Sequence, residues 1–299
     1  MMDDEPLTAV ARTLVPGGQL VRTEALAGGV SATVVAMDIR APSGDIRRVV
    51  LRQHGATTWK ELEQDVTAVE FGVQSALHRI GFPVPEPLHL DDSGAVLSSP
   101  SFIMAYIEGT THVSEPDRLD AVCRMAEVLA RLHGLDPSTL ALPGLPPRVD
   151  PVPDLLRLLP AFLEDQRDAL AARVGTTEGP TVLLHGDFWP GNILWQDGSL
   201  VAVLDWEDTA LGDPRSDLAA ARLELLWRYG EPAMRRFAAH YLECVPIEID
   251  LDGLPLWELH VAAGANASME HWGLAPDVEA RMREQTRAYM RDAMRRLPG

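Results

Sequence analysis

Residues 182–218, VLLHGDFWPGNILWQDGSLVAVLDWEDTALGDPRSDL, constrain the fold more than any other part of this chain. An apolar run (Val182, Leu183, Leu184) ends at His185-Gly186-Asp187, and Asn192 stands five residues beyond Asp187. Ile193 and Leu194 form a second apolar pair, Asp197-Gly198 a turn, and residues 200–204 a third apolar run that ends at Asp205. Asp-Gly between two short apolar runs is a strong local signal for a β-hairpin. Such a hairpin would bring Asn192, at the start of one strand, close to Asp205, at the end of the other. Asp187 leads into the same loop.

Two carboxylates and one amide oxygen would then converge. Hard oxygen ligands with spare coordination suit Mg²⁺ held jointly with phosphate oxygens. A carboxylate left off the metal can accept a proton from an attacking hydroxyl. A base, an amide ligand and a carboxylate ligand are the parts needed for phosphoryl transfer.

The spacing of Asp187 and Asn192 matches the kinase catalytic loop, with His-Gly-Asp in place of His-Arg-Asp. At this point the sequence resembles the aminoglycoside phosphotransferase and choline kinase-like group of small-molecule kinases. The motifs that carry the likeness are HGDFWPGN (185–192), VLDWED (203–208) and GDPRSDLA (212–219). The resemblance implies an α+β, protein-kinase-like fold of two lobes. Residues 1–107 would form an N-terminal nucleotide-binding lobe, an antiparallel sheet with one helix. Residues 108–299 would form a mainly α-helical lobe with the catalytic loop and the acceptor site. It further implies ATP, with GTP as the alternative, and Mg²⁺. Asp187 would be the catalytic base, and Asn192 and Asp205 the metal ligands. His185 reads as a residue that holds the loop backbone, and Asp213 and Asp217 as structural. Asp205-Trp206-Glu207 stands where protein kinases carry Asp-Phe-Gly, and no Ala-Pro-Glu signature follows, which disfavours a protein substrate.

A chain of 299 residues with 46 % apolar composition can fill more than one core. No apolar run reaches membrane-spanning length, and the acidic start MMDDEPLTAV lacks the basic-then-apolar order of a signal peptide. Cys123 and Cys244 are too few for a disulfide framework and have no metal-type spacing. A cytoplasmic protein is the expectation. The net charge is −18, with −5 before residue 108 and −13 from there on, so nucleic acid and anionic membrane are poor partners. An acidic cleft in the second part would attract a cationic small-molecule acceptor; a generally acidic, soluble surface accounts for the same count. Nothing in the sequence fixes the oligomeric state.

Along the chain, 19–26 and 32–39 read as strands joined by Ala27-Gly28-Gly29-Val30-Ser31. Two glycines let backbone N–H groups approach phosphates, so Gly28, Gly29 and Ser31 are candidate nucleotide contacts. Residues 47–52 read as the third strand. The one lysine, Lys60, lies beyond it, so Arg52 takes the place of the phosphate-binding kinase lysine. Glu70, on a helix read over 67–80, is its expected partner, with Glu61 and Glu63 as rivals. Residues 96–97 and 102–107 read as the last strands of this lobe, and the backbone of Ala105 and Tyr106 would meet a purine edge by analogy of position. Helices are expected over 120–133 with Asp120 as cap, 154–172, 215–229, 232–243, 256–267 and 276–297. Between the last two, Glu270, His271 and Trp272 are candidate acceptor contacts. The reading from another class is a nucleotide-binding module without transferase activity, acting through partners.

Overall fold

β3 (Ile46–His54) is buried on both faces, and the N-terminal part of the fold is built around it. A computed structural model describes residues 4–26, 32–54, 66–176 and 179–298. β1 (Gln19–Ala25), β2 (Ala32–Arg40), β3, β4 (Pro87–Asp91) and β5 (Ser101–Ala105) form a five-stranded sheet in the order β1-β2-β3-β5-β4, antiparallel throughout. Successive strand residues point to opposite faces. Val35, Met37 and Ile39 of β2 and Val49 and Leu51 of β3 therefore share one face, where they meet Leu7, Val10 and Ala11. Those three belong to α1 (Asp4–Leu14), a helix the sequence reading did not foresee. Val50, Arg52 and His54 alternate to the other face of β3 and are buried as well.

α2 (Val66–Arg79) packs against β4 and β5, with the Phe71 ring set edge-on to Phe102 at 6.0 Å. The expected strand at 96–97 is not one. The strand beside β5 is Pro87–Asp91, and residues 95–97 form a turn instead. The Asp91 carboxylate accepts the Ala95 and Val96 N–H groups, and Gly94 and Ser98 adopt positive φ of 63° and 66°. A local side-chain bond of this kind competes with strand pairing. Residues 201–207 and 140–144 join residues 1–109 in one compact unit; Val203 N–H donates to Pro83 O at 2.7 Å.

The second unit comprises residues 110–139, 145–200 and 208–299. Its main helices are α3 (Arg118–His133), α4 (Val152–Arg157), α5 (Arg167–Ala171), α6 (Arg215–Tyr229), α7 (Glu231–Cys244), α8 (Leu254–Ser268) and α9 (Pro276–Arg296). α3 packs on α7, and α6 on α7 and α8. β6 (Pro147–Arg148), β10 (Ala210–Gly212) and β7 (Val182–Leu184) make a small sheet in that order. β8 (Ile193–Gln196) and β9 (Ser199–Val203) form the expected hairpin, with Asp197 and Gly198 at φ 50° and 72° in its turn. The single helix expected over 154–172 is broken into α4, a 3₁₀ segment and α5. Pro160 disfavours helical backbone in the residue before it. Asp120 is not the cap of α3. The helix starts at Arg118, with Asp117 in the cap position, and Asp120 lies in the first turn where its charge suits the helix dipole. Among the described residues no helix is long and apolar enough to cross a membrane.

Candidate functional site

Within the helical unit, β7 delivers the chain into His185-Gly186-Asp187, and a 3₁₀ turn at Pro190–Asn192 carries it into β8. The loop hangs on a carboxylate. Asp217, in the first turn of α6, accepts the His185 N–H at 2.7 Å and the Gly186 N–H at 3.0 Å. His133 Nε2 lies 3.2 Å from Asp217 Oδ2, and its Nδ1 lies 2.6 Å from the Tyr241 hydroxyl. One tautomer satisfies both contacts, with Tyr241 donating to Nδ1 and Nε2–H donating to Asp217. Burial alone would raise the Asp217 pKa. His133, Arg148 and His185 outweigh it and hold the carboxyl below its ordinary value. Tyr241 is pushed upward by burial and by Asp217 and Asp213, so its hydroxyl stays a donor.

His185 is fully buried, and its Nδ1 accepts the Asp187 N–H at 3.2 Å. Asn192 Nδ2 donates to the Asp187 carbonyl at 2.9 Å and to its Oδ2 at 3.0 Å. The side chain of Asp187 is thus oriented by the residue five positions on. Gly186 has φ 90°, and a Cβ there would run into the Asp208 carbonyl. Gly186→Ala is expected to cost roughly 2 kcal/mol or more in stability from the left-handed backbone and the clash together. A urea midpoint indistinguishable from wild type would contradict this.

Within the sheet unit, Arg52 is the centre of a buried charge cluster. Its Nε donates to Glu70 Oε2 at 2.9 Å, and its Nη2 donates to Asp205 Oδ1 at 2.6 Å and Glu207 Oε2 at 2.7 Å. His54 Nε2 lies 3.3 Å from Glu70 Oε2, and the Trp206 N–H donates to Glu70 Oε1 at 3.3 Å. Burial disfavours charge on both partners. The three carboxylates nonetheless raise the Arg52 pKa, and Arg52, His54 and the Trp206 N–H keep Glu70 below its usual value. Asp205 adopts a left-handed φ of 64°, and Trp206 beside it is fully buried against Phe82.

Among the described residues no ready-made group of three or more His, Cys, Asp or Glu side chains could hold a metal ion. Mg²⁺ does not require one: it binds through one or two carboxylates, with phosphate oxygens and water completing the shell. Asp205 and Glu207 offer carboxylate oxygens of that kind. With its Nδ2 bonded to Asp187, Asn192 has its amide oxygen to offer.

Other expected site residues stand as follows. Gly28, Gly29 and Ser31 lie outside the described residues, as do Glu61 and Glu63. The Ala105 N–H is taken by the Glu86 carbonyl at 2.8 Å. The Tyr106 ring lies under the Arg48 guanidinium at 4.3 Å. Glu270 and His271 are exposed and face each other at 3.5 Å, and Trp272 stands edge-on to Trp227 of α6 at 5.9 Å. Three residues escaped the sequence reading: His54, Glu207 and Glu224. The first two had a signal, since each lies two residues beyond a residue already singled out, Arg52 or Asp205. Glu224, on α6, couples electrostatically to Asp187.

Comparison with known proteins shows the family and the fold. Residues 22–254 match the model of the "Phosphotransferase enzyme family". Acyl-CoA dehydrogenase family member 10 of Mus musculus is 28 % identical over 213 residues, which cover 64 % of this chain and 20 % of that protein. Viomycin phosphotransferase of Streptomyces vinaceus is 28 % identical over 182 residues, covering 54 % of this chain and 61 % of that one. The chain thus spans a fifth of the first relative's length and three-fifths of the second's. Among solved structures, choline kinase LicA of Streptococcus pneumoniae superposes with a TM-score of 0.65 at 16 % identity, covering 97 % of this chain and 99 % of that one. Amicoumacin kinase hAmiN, solved with AMP-PNP and Ca²⁺, gives 0.65 at 14 % identity, covering 97 % and 94 %. These likenesses show a protein-kinase-like fold. A family match running through most of the chain, over a His-Gly-Asp loop anchored as described, makes the protein a member of the phosphotransferase enzyme family.

Proposed function

We propose that this chain is a cytoplasmic small-molecule kinase that moves the γ-phosphate of ATP to a hydroxyl group. The observation that carries the reading is the hold on Asp187: Asn192 orients its carboxylate, and Asp217 fixes the loop beneath it. A carboxylate so held can orient an acceptor hydroxyl and take its proton. Asn192 and Asp205 are the proposed Mg²⁺ ligands, and Glu207 is a further oxygen donor beside Asp205. The metal would neutralise phosphate charge. Arg52, braced by Glu70, would meet the α- and β-phosphates, with Gly28, Gly29 and Ser31 on the same nucleotide and the Ala105–Tyr106 backbone on its base. Residues 1–107 and 108–299 are the proposed nucleotide and acceptor lobes, and Glu270, His271 and Trp272 are proposed acceptor contacts. Catalysis would rest on positioning and charge neutralisation.

The test is ADP release from Mg-ATP and Mg-GTP against amino alcohols, aminoglycosides, macrolides and sugars. Acceptor-stimulated release is expected with at least one class. Nucleotide bound without turnover on any acceptor would sink the kinase reading in favour of a binding module.

A further inference from the structure

α6 and α7 meet at Gly230 and pack against each other. Counting outward from that glycine, Leu226, Arg222 and Leu218 recur every four residues on α6, and Met234, Ala238 and Leu242 do so on α7. Residues four apart share a helix face. The two rows line a groove along the seam. Its end nearer Gly230 is a cavity of about 710 Å³ walled by α9, and its far end a cavity of about 420 Å³ walled by residues 251–255. Arg222 and Arg296 line both cavities, so the two join there. From Leu218 to Leu226 the groove runs roughly 12 Å at 1.5 Å per residue. The α6 row stands roughly 140° around the helix from Asp217, whose carboxylate holds the catalytic loop. All of these residues belong to the second unit.

The two ends differ in chemistry. The near end carries Arg222, Arg235, Arg295 and Arg296. The carboxylates among them are Glu231, Asp292 and, paired with Arg222 and Arg296, the fully buried Glu258. Four guanidinium groups against three carboxylates make this a basic spot on a chain of net charge −18. Among the described residues Arg235 and Arg295 are paired only with Glu231 and Asp292 of their own helices, and their side chains are 73 % and 70 % exposed. Pairs so exposed contribute little. An incoming anion can therefore draw both guanidinium groups to itself, and their planar forks match a carboxylate. The far end is apolar. Leu218, Ala238, Leu254 and Pro255 are buried in its wall, and Leu242 and Leu251 stand 37 % and 42 % exposed. Asp252 lies at this end and repels a negative charge, which sets the direction of an amphipathic anion in the groove.

We infer that this groove binds a medium-chain aliphatic carboxylate, its head group among the arginines near Gly230 and its chain along Leu218, Leu242 and Leu251. The chain covers apolar surface that otherwise faces water, and the carboxylate meets the basic end. The inference stands apart from the kinase reading, because α6 shows the groove one face and the catalytic loop another.

Calorimetric titration with decanoate tests it, in excess Mg-AMP-PNP so that a nucleotide site is closed to the probe. Wild type is expected to bind one decanoate per chain, and to bind butyrate and decanol about tenfold weaker or more, because one lacks the chain and the other the charge. Arg235→Gln combined with Arg295→Gln should weaken decanoate binding by a similar factor, and so should Leu242→Gln. All three positions are exposed, so the urea midpoints should stay near wild type. No binding, decanol bound as well as decanoate, saturation at many decanoates per chain, or unchanged affinity in either variant overturns the inference. So does a wild-type dimer that Leu242→Gln dissociates in sedimentation, which would make a second copy of the chain the occupant of the groove.

Discussion

Asp187→Asn is expected to lower phosphoryl transfer at least a hundredfold while leaving nucleotide binding largely intact. A positioned base contributes roughly 10²–10⁴-fold to a proton-transfer step, and an amide cannot take the proton. The substitution keeps the size and shape of the side chain. The bond from Asn192 Nδ2 to the residue-187 carbonyl does not depend on the carboxylate, and neither do the Asp217 bonds to the two preceding amides. The loop should therefore keep its path, so that lost rate reports on chemistry and not on folding. The comparison to make is acceptor-stimulated ADP release beside a nucleotide titration. Transfer above about 1 % of wild type would remove Asp187 from the role of base.

Asp217→Ala is expected to be the most damaging single change to stability, at about 3–5 kcal/mol. It would strand the buried His185 N–H, the part-buried Gly186 N–H and the His133 ring at once. The loss should appear as a lowered urea midpoint, with activity lost in parallel. The same carboxylate sets an acid limit. Its pKa is held below the ordinary 3.8, so its stabilisation is complete above that value and disappears as pH falls through the lower, folded-state value. In the alanine variant the fall in stability across that acid range should be shallower than in wild type. A variant as stable as wild type would show that the loop is held by other means.

The parts of the site that were legible in the sequence are those set by local chemistry. The Asp197-Gly198 turn between apolar runs declared β8 and β9, and the five-residue step from Asp187 to Asn192 declared a loop that the Asn192 amide closes. Arg52 could be singled out because the chain has no lysine in β3. What was missed depends on packing. α1 carries Leu7, Val10, Ala11 and Leu14 at helical spacing, but an acidic leader gives no reason to expect a sheet for that stripe to cover. β4 opens on a proline and owes its place to pairing with β5, a partner ten or more residues away. Glu224 reads as one more polar residue in RLELLW.

The way residues 201–207 join the sheet unit has a consequence for how the chain is made. Ala202, Val203 and Trp206 are fully buried, and Asp205 and Glu207 complete the charge cluster around Arg52. Residues up to 109 therefore leave the ribosome without a seam of their unit's core and with Arg52 short of two of its three carboxylates. Synthesis must pass residue 207 before that unit can close. Until then it is an intermediate with part of its core uncovered, and a fragment cut at residue 109 would remain in that condition.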